Sequence, residues 1–195
     1  MKVNTTKKHS GLRFLTVRAA PGNPCRGLIR AGNRTFPCAL GRSGISAFKR
    51  EGDGATPLAA MKLLSGYVRA DRSMQRHAGV ALRAIRADDG WCDAPAHGAY
   101  NRPVRLPFPA SHEAMMRADR LYDHCLVLDW NIASRRRFRG SAIFLHVAKP
   151  GFPPTEGCIA VAPGVMRLLL PHLRRGTVVR VTRQGFRRGA RRWSS

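Results

Sequence analysis

Cys158 follows His146 by twelve positions, and residues of these two types can act together as a nucleophile and its base. Cysteine attacks as the thiolate, and at neutral pH a nearby imidazole is the usual means of generating it. Gly157 precedes the cysteine, where its backbone freedom would let successive N–H groups face one point, as an oxyanion hole requires. The alternative interpretation makes Cys158 a small buried hydrophobe and His146 a hydrogen-bonded core histidine.

Two predicted strands would bring this pair together. Ala142–Val147 is an apolar run that contains the histidine and predicts a buried strand, and Ile159–Ala162 predicts a short strand directly after the cysteine. The intervening loop is rich in proline and glycine, with Pro150, Gly151, Pro153 and Pro154. Such a loop is stiff because proline fixes its own backbone torsion φ. The loop would therefore hold Cys158 in a fixed position near His146.

The rest of the chain predicts one mostly-β domain with two or three short helices. Further strands are predicted at Leu12–Val17, Leu28–Ala31, Arg34–Ala39, Leu126–Trp130 and Thr177–Val181. Ser111 is a good N-cap and predicts a helix over Ser111–Arg120, while Pro163 predicts a helix through Leu170. Ala59–Ala70 is apolar without a firm period, so its state stays open.

Three sequence features occur in an order that resembles a known family. They are a hairpin within residues 27–40, the turn Glu51-Gly52-Asp53-Gly54-Ala55-Thr56-Pro57, and His146 followed by Thr155-x-Gly157-Cys158-Ile159. Together they resemble the YkuD-type L,D-transpeptidase catalytic domain, from about Leu12 to Val181. The resemblance implies a YkuD-like β-sandwich over 12–182, with an N-terminal extension over 1–11 and a basic tail over 183–195.

The resemblance also implies a reaction and a set of roles. Cys158 would attack a carbonyl of a peptidoglycan stem peptide with His146 as base, and the amine of a second stem would attack the thioester. The N–H groups of Gly157 and Cys158 would hold the oxyanion, and the Val147 carbonyl would orient the histidine. Substrate contacts are predicted for Thr155, Glu156, Tyr100 and Asn101, with Asp129 and Asn131 as further candidates. A purely structural role stays open for Tyr100 and Asn101.

Two positions depart from the family signature. Glu156 stands where the family has the histidine of His-Gly-Cys, and Ala160 stands where it commonly has arginine or asparagine. Those polar residues help to seat the donor peptide, so the bond that is cleaved stays open. Hydrolysis by an L,D-carboxypeptidase or endopeptidase is one alternative, and a cross-link from the first residue of one stem to the third of another is a second.

Glu156 itself has two interpretations. It could bind the acceptor amine, or it could be a solvent-facing turn residue. A carboxylate beside Cys158 would oppose thiolate formation unless an arginine offsets it, and Arg135–Arg139 is a candidate source.

The charge of the chain is extreme. Lys and Arg number 35 against 11 Asp and Glu, a net charge of +24. Such a field favours a polyanion, which an acidic wall polymer or a nucleic acid would supply. Eight arginines and no acidic residue lie in residues 174–195, and Arg135–Arg139 contains a second cluster. A nucleic-acid-binding protein is disfavoured, because the arginines are not interleaved with aromatics and no known binding motif is present. A solvated basic tail is the other alternative.

The five cysteines fit one reactive thiol and up to two disulfides, or one reactive thiol and four reduced cysteines. Cys25–Cys38 and Cys92–Cys125 are the possible pairs. Counting outward from a Gly32-Asn33 turn, however, places Cys38 opposite position 27. The histidines show no metal-site spacing and no Cys-x-x-Cys occurs, so neither a metal nor another cofactor is expected.

The resemblance implies a location in the periplasm or cell wall, where stem peptides are found. Leu12–Val17 is interrupted by Arg13 and therefore predicts a strand instead of a signal peptide. No apolar run approaches the roughly 20 residues that a membrane span needs.

Overall fold

The computed structural model describes residues 11–73 and 78–183. Within these residues the chain forms strands β1 Phe14–Ala20, β2 Asn23–Ala31, β3 Arg34–Ala39, β4 Ile45–Ser46, β5 Thr56–Pro57, β6 Ala60–Val68, β7 Leu82–Ala84, β8 Asp89–Cys92, β9 Arg102–Arg105, β10 His112–Ala114, β11 His124–Leu128, β12 Phe144–Val147, β13 Ile159–Val161 and β14 Val178–Val181. Helix α1 spans Pro163–Leu169 and continues into a 3-10 helix over Leu170–His172. The mostly-β class is confirmed.

Nine of these strands form one sheet in the order β11-β12-β13-β3-β2-β1-β14-β6-β7. Strand β6 also pairs with β11, so the strands from β11 to β6 in this order form a closed sheet. Strand β7 lies outside this ring and pairs with β6. Neighbours β12 and β13 run parallel, joined by the loop that carries the predicted nucleophile. Strands β10, β8 and β9 form a separate small sheet.

The two faces of the closed sheet pack against different hydrophobic clusters. Because successive side chains of a strand point to opposite faces, Leu145 and Val147 of β12 enter the main core while Phe144 points the other way. Phe144 packs edge-on against Trp91 of β8 at 5.2 Å and against Tyr122 at 5.9 Å. Burial of such a ring contributes roughly 1.5–3 kcal/mol to the free energy of folding. The contact between Phe144 and Trp91 therefore helps to hold the small sheet against β12. The outer face is where His146 lies.

The predicted hairpin is present. Strands β2 and β3 pair around Gly32, whose φ of 59° is the left-handed conformation that glycine adopts without strain. Gly27 lies opposite Cys38, the register counted from the sequence. All five cysteines are free thiols, so neither candidate disulfide is present.

The helix predicted over Ser111–Arg120 is wrong. His112–Ala114 instead forms β10, which pairs with Gly90–Cys92, and Met115 is buried beneath it. The N-cap signal is local, and the tertiary pairing with β8 overrides it. The other predicted helix is confirmed from Pro163, with Pro171 in the 3-10 turn that ends it.

Ala59–Ala70, left open from the sequence, forms β6. The predicted N-terminal extension through residue 10 and the predicted basic tail from residue 184 lie outside the described residues.

Candidate active site

The parallel pairing of β12 with β13 brings the predicted nucleophile and base onto one face. His146 lies beside Ala160 in register, and Cys158 directly precedes β13. The Cys158 thiol donates a hydrogen bond to the Ala142 carbonyl oxygen at 3.2 Å, and its sulfur accepts the Phe144 N–H at 3.4 Å. Cys158 and His146 both line a cleft of about 360 Å³. The predicted nucleophile is therefore held at the start of β13, with the predicted base on the neighbouring strand β12.

The imidazole of His146 is fixed from two sides. Nδ1 lies 2.8 Å from the Val147 carbonyl oxygen, the contact that the family resemblance implied. A carbonyl only accepts, so the neutral ring carries its proton on Nδ1 and leaves Nε2 free to take one. The Tyr122 ring packs against the imidazole with centroids 5.5 Å apart. Burial lowers the pKa of His146 to about 4, so the ring is neutral at physiological pH.

The thiol of Cys158 is likewise uncharged before it reacts. Burial raises its pKa to about 12, outweighing the Phe144 hydrogen bond, which favours the thiolate. A neutral imidazole and a neutral thiol can exchange a proton when the sulfur attacks, which suits general-base activation better than a resting ion pair.

Thr155 holds the turn before the nucleophile. Its hydroxyl donates to the Cys158 carbonyl at 2.7 Å and accepts the Gly157 N–H at 3.2 Å. The Gly157 N–H would therefore have to exchange this bond to hold an oxyanion. Gly157 has a φ of 130°, and a Cβ there would lie 2.8 Å from the Ala55 carbonyl oxygen. Only glycine fits this position without strain or displacement of the backbone.

The Glu-Gly-Asp-Gly-x-Thr-Pro turn forms the support beneath Gly157. The carboxylate of Asp53 accepts hydrogen bonds from Lys49 Nζ at 2.5 Å, the Arg50 N–H at 2.7 Å and the Ala55 N–H at 2.8 Å. Burial works against the ionised form of Asp53, but these bonds outweigh it and lower its pKa. The turn thus holds Ala55 against the nucleophile loop.

Tyr100 and Asn101 support the cleft from behind and do not line it. Both are buried, and the Tyr100 hydroxyl donates to Glu51, a carboxylate that lines the cleft. Asn101 Oδ1 accepts the Ala142 N–H at 3.1 Å, and Ala142 in turn accepts the thiol proton of Cys158. Tyr100 and Asn101 thus hold Glu51 and Ala142 in place, and contact of Tyr100 and Asn101 with substrate stays a prediction.

The other two candidates also have structural contacts. Asp129 accepts the Lys62 N–H at 2.7 Å, and Asn131 closes the loop that follows β11 through the carbonyls of Arg136 and Gly140.

Glu156 lies on the rim of the cleft and is paired with an arginine. Its carboxylate accepts Arg42 Nε at 2.8 Å, with 76% of the Glu156 side chain and 52% of the Arg42 side chain exposed. The proposed partner within Arg135–Arg139 was wrong, because the hairpin end places Arg42 beside the nucleophile loop. Arg135 instead donates to the Gly98 carbonyl at 3.2 Å.

Ala160 is enclosed by small and aromatic side chains. It is 1% exposed and clusters with Ala39, Ala148 and Phe152. The position that carries a polar side chain in the family signature is therefore packed with apolar groups.

Sequence reasoning missed the charged wall next to His146. Arg117 donates to Asp119 through Nε and a terminal nitrogen, both at 2.9 Å, and to Glu113 at 2.5 Å. Its guanidinium carbon lies 5.2 Å from the centroid of the Tyr122 ring that packs on His146. Lys149 Nζ lies 3.6 Å from Asp119. Glu113 lies in β10, Arg117 and Asp119 lie between β10 and β11, and Lys149 follows β12, so only folding brings these residues together.

In the described ranges, 11–73 and 78–183, no group of three or more His, Cys, Asp or Glu side chains is placed to hold a metal ion. No helix within those ranges is long and apolar enough to cross a membrane.

Fold and site together define a mostly-β domain with a thiol–imidazole pair on adjacent strands. The family model YkuD, described as the L,D-transpeptidase catalytic domain, matches residues 28–181. The match covers most of the chain, which therefore belongs to the YkuD family. Comparison with curated proteins and with solved structures gave no match.

Proposed function

We propose that this protein is a peptidoglycan L,D-transpeptidase that cross-links stem peptides through a thioester on Cys158. The observation that carries the proposal is that Cys158 and His146 line one cleft from adjacent parallel strands. The hydrogen bond from Nδ1 to the Val147 carbonyl supports it, because it leaves Nε2 as the proton acceptor.

The first half-reaction forms the acyl-enzyme. His146 Nε2 takes the thiol proton as the Cys158 sulfur bonds to the carbonyl carbon of the donor stem. The C–N bond then breaks, and the imidazolium returns its proton to the leaving amine. The N–H of Cys158, and that of Gly157 once it releases Thr155, would stabilise the oxyanion.

The second half-reaction transfers the acyl group. The amine of a second stem attacks the thioester carbon and gives a proton to Nε2. The C–S bond then breaks, and the imidazolium returns this proton to the sulfur to restore the thiol. Glu156 is exposed at the cleft rim, so an approaching acceptor ammonium could exchange with Arg42 as its partner. Water in place of the amine would make the protein a hydrolase with the same acyl-enzyme.

Donor selection would differ from that implied by the family signature. Ala160 offers no charge-assisted hydrogen bond, which typically contributes about 1.5–3 kcal/mol. We therefore expect a relaxed or redirected demand for a donor ending in a free D-amino acid, including first-to-third linkage. The periplasm or cell wall would be the site of action, with an anionic wall polymer as partner.

The decisive experiment supplies defined tripeptide, tetrapeptide and pentapeptide muropeptides to the purified protein and identifies the products by mass spectrometry. Cross-linked dimers that disappear in Cys158→Ala are expected. Shortened stems without dimers would replace transpeptidation by hydrolysis. Strict tetrapeptide dependence with third-to-third links alone would show that Ala160 does not redirect the donor.

A further inference from the structure

The segment 130–140, here called the arginine-rich loop, carries cations that the protein leaves unpaired. Several arginines outside the loop are held by carboxylates, namely Arg42, Arg69, Arg72, Arg83, Arg105 and Arg117. In the described part of the chain, Arg136, Arg137 and Arg139 have no ion pair. No acidic residue occurs in the sequence between Asp129 and Glu156. Among the described residues, no carboxylate forms an ion pair with these three loop arginines.

The loop is nevertheless held in one conformation. Asn131 Oδ1 accepts the Ser134 hydroxyl at 2.9 Å and the Arg136 N–H at 2.8 Å, and its Nδ2 donates to the Arg136 and Gly140 carbonyls. Trp130 Nε1 donates to the Arg139 carbonyl at 2.9 Å. These contacts reach Arg136 and Arg139 through their backbones, which leaves the two guanidinium groups available to a ligand.

A pocket of about 330 Å³ lies against this loop. Its lining joins the loop to the segment before the Glu51 turn, through Ala47, Lys49, Trp130, Asn131, Ser134, Arg136 and Arg139. Lys49 is already matched by Asp53, so the arginines supply the unmatched charge. Two aromatic side chains of the same two segments are exposed to solvent, Phe48 by 79% and Phe138 by 60%. Phe138 has a φ of 62°, a costly conformation for a bulky residue.

The pocket and the catalytic cleft share two chain segments. Arg139 lines the pocket and Ser141 lines the cleft, and the same holds for Lys49 and Glu51. Two residues span at most about 7 Å, so the two sites are adjacent. The Glu51 N–H donates to the Phe138 carbonyl at 2.9 Å, which ties the segments together. A polymer whose stem peptide enters the cleft would pass over the arginine-rich loop.

We propose that the arginine-rich loop is a second subsite that binds carboxylates of the peptidoglycan strand while one of its stems occupies the catalytic cleft. The proposal rests on the proposed function for the identity of the polymer. Guanidinium groups match carboxylates because the planar fork donates two parallel hydrogen bonds. Phe48 and Phe138 add apolar surface for the sugar rings. Salt should weaken binding at such an exposed site, because it screens the charges.

The test compares two double variants that lose the same charge. Arg136→Gln/Arg139→Gln removes the subsite, and Arg34→Gln/Arg180→Gln is the matched control. The control arginines are exposed, stack on Phe36 and Phe14, and line neither the cleft nor the pocket. Co-sedimentation of the full chain with purified peptidoglycan is measured at several salt concentrations. The rate on intact peptidoglycan is divided by the rate on a soluble muropeptide.

The loop variant is expected to bind peptidoglycan roughly 5–30-fold more weakly, as for two exposed charge-assisted contacts, with a shallower salt dependence. Its polymer-to-muropeptide rate ratio should fall, while the control keeps the wild-type values. Equal losses in both variants, or no loss in the loop variant, would overturn the subsite. So would loss of DNA binding in the loop variant with peptidoglycan binding retained.

Failure of the proposed function would look different. Wild-type protein and Cys158→Ala would then bind peptidoglycan through the loop, yet neither would form a new product from muropeptides. Wild-type cross-linking without any loss of binding in the loop variant would instead overturn the subsite alone.

Discussion

The cleft and the arginine-rich loop differ in whether their arginines have carboxylate partners. Among the described residues, Arg117 lines the cleft and is held by Glu113 and Asp119, and Arg42 beside its rim is held by Glu156. In the loop, Arg136 and Arg139 have ordered backbones but no carboxylate beside their side chains among the described residues. Arg136 and Arg139 line the neighbouring pocket and not the cleft.

This separation matters because the reactive pair is neutral. Burial raises the pKa of Cys158 to about 12 and lowers that of His146 to about 4. An unmatched cation in the cleft would favour a resting thiolate, which is prone to oxidation and alkylation. In the proposed function, paired charges in the cleft would keep the thiol protected until a substrate arrives, and the unpaired charges of the loop would bind the anionic polymer.

The largest effect is expected from Cys158→Ala, which should abolish cross-linking completely. In the proposed mechanism the Cys158 sulfur becomes acylated, and no other cysteine lines the cleft of the described structure. Product formation from muropeptides is the measurement. Alanine variants of Cys25, Cys38, Cys92 and Cys125 are the controls and should change thermal stability at most. Full activity of Cys158→Ala would refute the thioester mechanism.

Removal of the base should have the next largest effect. His146→Ala should fold but lose roughly 10²–10⁴-fold in turnover, the contribution of a positioned general base. Iodoacetamide labelling of the Cys158 peptide near neutral pH, followed by mass spectrometry, should slow as well. Equal labelling rates in wild type and His146→Ala would show that His146 does not activate the thiol.

The pH profile tests whether the cleft keeps the base neutral. The base must be unprotonated to act, so kcat/KM is lost as pH falls through the pKa of His146. Because burial lowers that pKa from 6.5 to about 4, the acid limb should lie near pH 4. An ordinary histidine would give its limb near pH 6.5 and roughly 100-fold less activity at pH 4.5. A limb near pH 6.5 would contradict the neutral, buried base.

The placement of His146 and Cys158 near each other was predictable from sequence, and the surroundings of the two residues were not. His146 lies within one apolar run and Cys158 directly precedes another, and such runs are typical of buried strands. The small sheet was missed because β10 has a helix-like cap signal at Ser111, and its pairing with β8 is a tertiary event.

The same limit applies to the charges. Arg42 and Glu156 are 114 positions apart, so no local pattern could pair them. Asn101 shows a related limit, because residue type could suggest a polar contact without saying that it is with Ala142.

Asn101 connects the buried interior to the thiol. Asn101→Ala should slow Cys158 alkylation and turnover by about 5–150-fold, since a buried hydrogen-bonding group left unmatched costs roughly 1–3 kcal/mol. Asn101→Asp is the matched control, because it keeps the Oδ1 acceptor for the Trp91 and Ala142 N–H groups. The rates of alkylation and turnover should decrease in the order wild type, Asn101→Asp, Asn101→Ala. Slowing explained entirely by a fall in melting temperature would indicate a structural role without an effect on the thiol.

The smallest effect concerns the charge balance of the cleft itself. Arg42→Gln leaves the Glu156 carboxylate without its partner, and that carboxylate raises the pKa of Cys158. Alkylation should slow about 1.4- to fivefold, matching the roughly 0.2–1 kcal/mol of an exposed ion pair. Glu156→Gln should instead speed alkylation. Adding Arg42→Gln to Glu156→Gln should slow alkylation less than Arg42→Gln does in wild type, because no carboxylate remains to be neutralised. Equal effects of Arg42→Gln in both backgrounds would mean that the arginine acts on the thiol directly, and the cleft would then depend on an unmatched cation just as the arginine-rich loop does.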